Sequence, residues 1–153
     1  MNISLGNMIL NQDFKEFVQS LNSNNVRYLV VGGYAVAFHG YPRYTKDLDV
    51  WIWIDQQNAK NIVRALDEFG FGSLDLTPID FLEPGMIIQL GYPPNRIDLI
   101  TDLVGVDFET CFTKRLEEKI DDVVVPFIDL ENLKKNKRAS GRPQDLADVA
   151  NLQ

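Results

Sequence analysis

The sequence predicts an α/β (α+β) protein with a mixed β-sheet flanked by helices. Three observations carry this. Short apolar runs bounded by glycine, proline or polar clusters read as strands, as at Tyr28–Val31 and Met86–Leu90. Apolar residues recur at helical spacing elsewhere, as in Phe14, Phe17, Val18 and Leu21. Strands and helices are therefore interspersed, and Gly91-Tyr92-Pro93-Pro94-Asn95 joins two strands around a proline turn.

In chain order, Asn11–Asn22 is a helix with one apolar stripe, stopped by Asn22-Ser23-Asn24-Asn25. Tyr28–Val31 is a buried strand. Gly32-Gly33 and a short helical stretch, Ala35–Phe38, follow it. The next strand opens with Asp47 and Asp49, and Leu48, Val50, Ile52 and Ile54 face the core. Gln56–Phe69 is amphipathic through Ala59, Ile62, Val63, Leu66 and Phe69, and Gly70 closes it. Between Leu74 and Pro84 only a helical turn at Pro78–Leu82 is expected. Strands at Met86–Leu90 and Arg96–Thr101 come next, then helical spacing over Asp107–Arg115. Two short strands follow within Leu116–Phe127, turning at Asp121-Asp122. Asp129–Lys137 is a helix broken by Gly141, and Pro143 starts the last one.

The 153 residues suit a single domain spanning 1–153, and 45% hydrophobic residues suffice for a core. No apolar run reaches the roughly 18 residues of a membrane span, and residues 1–10 do not resemble a secretory leader. One cysteine, Cys111, excludes an internal disulfide and fits a reducing, cytoplasmic setting as a core thiol. The net charge of −7 and a pI of about 4.6 argue against extended nucleic-acid binding, which relies on Lys and Arg at phosphates. A single nucleotide remains compatible.

Alternation along a strand points Asp47 and Asp49 the same way. Adjacent carboxylates repel, and a divalent metal is a physical reason to keep them. Hard cations such as magnesium take carboxylate oxygens together with substrate phosphates. On the strand Arg96–Ile100, Asp98 takes the face opposite Ile97 and Leu99. If that strand lies beside the first acidic one, Asp47, Asp49 and Asp98 converge as ligands for two magnesium ions, with manganese as a substitute. Such a pair of ions serves an in-line displacement at phosphorus, with Asp98 as general base. Gly32 and Gly33 let backbone N–H groups approach a phosphate. Arg43, Thr45 and Lys46 are placed to meet other phosphate oxygens.

Val31-Gly32-Gly33, a gap, then Asp47-Leu48-Asp49 resembles the signature of the DNA polymerase beta-type nucleotidyltransferase superfamily. The segments Gly32–Val36, His39-Gly40 and Arg43–Asp49 resemble its small AbiEii-like and lincosamide-modifying branch. Pro93–Leu99, Gly105–Glu109 and Lys137–Asp148 extend the likeness over roughly residues 25–153. The resemblance implies a minimal nucleotidyltransferase domain that transfers a nucleoside monophosphate from a triphosphate such as ATP. It implies magnesium on the residues matching Asp47 and Asp49, with Asp98 at the third acidic position. Lys137 and Arg142 fall in the matched segment and are assigned to nucleotide binding. One departure is that Gly33, followed by Tyr34, stands where many members carry a serine. The acceptor is open: a small molecule, a tRNA end or a protein. A homodimer or a partner protein would supply what a short chain lacks for acceptor recognition.

Blander readings exist for each feature. Asp47 and Asp49 can be a solvated strand end, Asp98 a surface pair with Arg96, and Gly32-Gly33 a plain turn. Lys134, Lys135, Lys137, Arg138 and Arg142 form either a solvated face or a cationic wall opposite the acids. Asp145 and Asp148 cap the last helix or pair with those cations. His39 reads as a packing residue. Trp51 and Trp53 read as covered by a helix, with base stacking as the rival for one of them. Two other functions compete with transfer. One is a feebly active nucleotide- or partner-binding module, such as a toxin–antitoxin component; the other is a metal-dependent nuclease or phosphatase.

Overall fold

Every residue of Tyr28–Val31 is buried, and this strand, β1, lies inside a six-stranded sheet. The computed structural model describes residues 11–42, 45–92 and 95–152. The elements are α1 (Gln12–Ser23), β1, α2 (Gly32–Phe38), β2 (Leu48–Ile52), α3 (Gln56–Phe69), β3 (Ile87–Leu90), β4 (Ile97–Ile100), α4 (Phe108–Thr113), β5 (Leu116–Ile120), β6 (Val123–Phe127), α5 (Leu130–Ser140) and α6 (Pro143–Asn151). Short 3-10 turns at Gly72–Leu74 and Pro78–Phe81 connect α3 to β3.

The sheet order is β3-β4-β2-β1-β6-β5. β1 runs antiparallel to β2 and parallel to β6, while β2 runs parallel to β4. β3–β4 and β5–β6 are antiparallel pairs. The sheet is mixed and flanked by helices, as the sequence predicts. In the β5–β6 hairpin, Asp121 and Asp122 both take positive φ, 49° and 67°, which suits a two-residue turn matched to strand twist. Pro126 is tolerated in β6 because that strand meets β1 only through the bridge from Phe127 to Val30.

The expected stripe of α1 is core: Phe14, Phe17, Val18 and Leu21 are buried. Of the expected α3 stripe, Ala59, Ile62 and Leu66 are buried, while Val63 and Phe69 are half-buried against the core and Ala65 joins them inside. α1, α3, α4 and α5 are each opened by a side chain that accepts a backbone N–H: Asn11, Asp55, Asp107 and Asp129. The α5 helix continues to Ser140, three residues beyond the sequence expectation, and Gly141 at φ 69° ends it. Leu48, Val50 and Ile52 are buried; Ile54 lies past the strand end and is half-buried.

Trp51 corrects one alternative. It is 2% exposed and packs edge-on against Phe108 of α4 at 5.1 Å, so it is covered and cannot stack a base. Its indole N–H finds no partner among the described residues. Trp53 sits under Arg27, whose guanidinium lies 4.9 Å from the ring centroid. Cys111 is buried, and burial, reinforced by Asp129 and Asp107, pushes its thiol up to about 12. It is an inert core thiol. No helix among the described residues is long and apolar enough to cross a membrane.

Candidate active site

The acids meet because of strand register. β1 pairs Val31 with Asp49, and β2 pairs Asp49 with Asp98. Asp49 therefore lies between the Val31-Gly32 bend and Asp98. Gly32 has φ 66°, and a Cβ there would fall on the Asp49 carboxylate. At Gly33 a Cβ would meet Thr45 Oγ1 at 2.6 Å and Thr45 Cγ2 at 2.7 Å. Glycine is thus required twice: once for the backbone angle with close approach, once for approach alone.

These residues line a cleft of about 570 Å³. Its sheet side carries Gly32, Gly33, Asp47, Asp49, Arg96 and Asp98. Asn136, Lys137, Ser140 and Arg142 enter from the α5–α6 corner, and Leu103 and Val104 from the loop after β4. That loop is tied to α5 by the Asn136 amide, which donates to the Val104 carbonyl at 3.0 Å.

Asp49 is held at a pKa of about 7, first by burial and then by the charges of Asp98 and Asp47; Lys137 and Arg96 offset this only in part. The Arg96 Nη2 donates to Asp47 Oδ2 at 2.7 Å and to Asp98 Oδ2 at 3.2 Å, and its Nε donates to Asp98 Oδ1 at 3.0 Å. Opposite, Lys137 is buried, with Nζ 3.0 Å from Asp145 Oδ1 and 3.1 Å from Asp148 Oδ2. Burial pushes Asp145 up, but hydrogen bonds from Ser140, Arg142 and Lys137 outweigh it and hold the carboxyl at about 2.

The structure thus brings Asp47, Asp49, Asp98, Gly32, Gly33, Lys137 and Arg142 to one cleft. Thr45 packs on Gly33 from outside the lining, and Lys46 is exposed and not among the lining residues. Arg43 lies outside the described residues. Of the cationic cluster, Lys137 is internally paired with Asp145 and Asp148, the second role considered for those acids. Arg142 is exposed, and its Nε donates to Asp145 at 2.8 Å. Arg96, read in the sequence only as a surface partner of Asp98, is an integral part of the cleft. Its parity with Asp98 was a visible signal; its reach to Asp47 was not.

The donor set suits a hard divalent cation: three carboxylates, with Asp49 kept from easy ionisation first by burial and then by its like-charged neighbours. Among the described residues, however, no three carboxylate, histidine or cysteine groups converge as a ready cation cage. The cation that Asp47 and Asp98 share is the Arg96 guanidinium.

The sequence model of the aminoglycoside-2''-adenylyltransferase family matches residues 13–152. The chain belongs to this family. Membership places it among the nucleotidyltransferases. Solved structures agree at the level of fold. A Thermotoga maritima protein described as a nucleotidyltransferase superposes with a TM-score of 0.63 at 16% identity, over 94% of both chains. A nucleotidyltransferase-like antigenic protein from Paracoccidioides brasiliensis gives 0.52 at 20% identity, over 94% of this chain and 77% of that one. The lincosamide adenylyltransferase LnuA, with lincomycin bound, gives 0.51 at 14% identity, over 94% of this chain and 96% of that one. No curated protein is significantly similar in sequence.

Proposed function

We propose that the protein transfers a nucleoside monophosphate, adenylate from ATP, to a hydroxyl of an acceptor molecule in a magnesium-dependent reaction. The observation that supports this most directly is the register of Asp49 against Asp98 beside the Gly32-Gly33 bend. Asp47, Asp49 and Asp98 would hold the metal, which when bound neutralises phosphate charge and polarises the α-phosphorus. The chain's own residues supply the rest. Asp98, on the strand nearer the sheet edge, takes the proton of the acceptor hydroxyl. Gly32 and Gly33 leave bare backbone against which phosphates can lie. The paired Lys137–Asp145–Asp148 unit holds the α5–α6 wall rigidly opposite the acids.

The lincosamide-modifying likeness of the motifs and the family's name both favour a small hydroxyl compound as acceptor. The test is incubation with α-labelled triphosphates, magnesium and panels of hydroxyl compounds, tRNA and protein. The wild type should prefer ATP and label one class of acceptor, and Asp49→Asn should fail. Equal label transfer by both proteins rejects the reading.

A further inference from the structure

The transfer reading leaves Arg96 without a role, although it makes the shortest ion pair to the acids. It precedes β4, two residues before Asp98 and on the same face. Its fork takes both oxygens of Asp98 and one of Asp47, so it bridges two elements of the site. A divalent ion shared by those carboxylates would lie within a few ångströms of this guanidinium. Two positive centres so close in a half-buried cleft repel strongly. The other cations of the lining do not pair with these acids, because Lys137 and Arg142 are engaged with Asp145.

We propose that Arg96 is a tethered counter-ion that competes with the divalent metal for Asp47 and Asp98, making metal binding dependent on the triphosphate. This rests on the proposed function. A triphosphate resolves the conflict by its chemistry. It brings negative oxygens that match the guanidinium fork, so arginine and metal can both keep anionic partners once it enters. The arginine side chain is 29% exposed and can leave Asp98 by rotation, without unpacking the core. Metal alone must displace it; metal with triphosphate need only hand it on. By linkage, the triphosphate strengthens metal binding by the same factor as metal strengthens triphosphate binding. In this scheme Arg96 acts on the metal through the carboxylates and on the triphosphate directly.

The experiment measures Mn²⁺ binding to the full chain by the electron-spin resonance of free Mn²⁺. It is done with Mn²⁺ alone and again with a saturating nonhydrolysable ATP analogue, after correction for Mn²⁺ held by the analogue. Wild type, Arg96→Met and Arg96→Gln are compared, each checked for folding by near-ultraviolet circular dichroism. In the wild type the analogue should tighten Mn²⁺ binding at least tenfold. Both variants should bind Mn²⁺ alone at least tenfold more tightly than wild type and lose most of that synergy. Should one variant not fold, the other carries the comparison. Unchanged or weaker Mn²⁺ binding in the folded variants overturns the proposal, as does a wild type whose Mn²⁺ affinity ignores the analogue; both leave nucleotidyl transfer standing. Failure of every protein to bind Mn²⁺, even with the analogue, removes the metal-dependent reading as well.

Discussion

Replacing Lys137 by methionine is expected to cost about 3–5 kcal/mol of folding stability, the usual penalty for breaking a buried pair from one side. The Lys137 side chain is 7% exposed and serves two carboxylates that are 4% and 0% exposed. Asp145 keeps Ser140 and Arg142 as partners when the lysine goes. Asp148 keeps the Gln144 amide, 3.0 Å away, but loses its cation in a fully buried place. Most of the penalty therefore falls on Asp148. With a total stability of about 5–15 kcal/mol for a typical protein, about a fifth or more is at stake. At about 2 kcal/mol per molar of urea, the unfolding midpoint should fall by about 2 M. The assay is urea unfolding followed by tryptophan fluorescence and far-ultraviolet circular dichroism. Adding Asp148→Asn to Lys137→Met should recover at least 1 kcal/mol, because the buried charge that Lys137 served is then gone. A loss below about 1 kcal/mol in the single variant, or no recovery in the double, would refute the argument that this triad is held dry.

Other perturbations read the site from different sides. Asp49 has a folded pKa of about 7 against 3.8 for the free side chain, so folding retains a proton that the unfolded chain sheds. Stability contributed by this group is present below pH 4 and lost as pH rises towards 7. Asp49→Asn should therefore stabilise the metal-free protein at pH 8 by at most about 4 kcal/mol, at 1.36 kcal/mol per pKa unit; thermal unfolding at pH 5 and 8 checks that the gain grows with pH. His39 runs the opposite way. Burial lowers its pKa from 6.5, although the Ile128 carbonyl, 2.7 Å from Nε2, and Asp129 pull it up. Its contribution is present above pH 6.5 and lost on acidification, and urea titrations from pH 7.5 to 5 should be flatter in His39→Gln. Gly32→Ala should cost about 1–3 kcal/mol through its positive φ and, by displacing Asp49, lower transfer about a hundredfold. Steady-state kinetics with ATP would expose a smaller loss.

The parts of the site legible in the sequence are those governed by one element at a time. Strand alternation places Asp47 and Asp49 correctly relative to Leu48 and Val50, and the same parity aligns Asp98 with Arg96. What the sequence does not show is which strands are neighbours. The parallel contact of β2 with β4 brings Arg96 within reach of Asp47, and no local pattern encodes it. Lys137 hides for a related reason. It falls one turn after the buried Leu133 on α5, but a lysine at a core position reads as surface unless its carboxylate partners, eight and eleven residues on, are known to fold back. The stretch from Gly72 to Leu82 resists periodicity because its 3-10 turns are too short to show a stripe, and Ile79 is 72% exposed despite being apolar. Tryptophan alternation puts Trp51 on the acids' side, yet α4 covers it at the far end of the strand, where the cleft no longer reaches.

The separation of Asp49 from Asp98 is an interstrand spacing, about 4.8 Å at the backbone, rather than the outcome of how some loop happens to lie. A slip by one residue would turn Asp98 to the opposite side of the sheet, so the pairing is all-or-nothing. The exposed loops between α3 and the edge strand can consequently lengthen, shorten or change composition while the ladder holds the carboxylates side by side. Such an arrangement separates what must stay constant from what is free to diversify: a fixed chemical centre, and next to it a replaceable excursion of chain in which new acceptors could be accommodated.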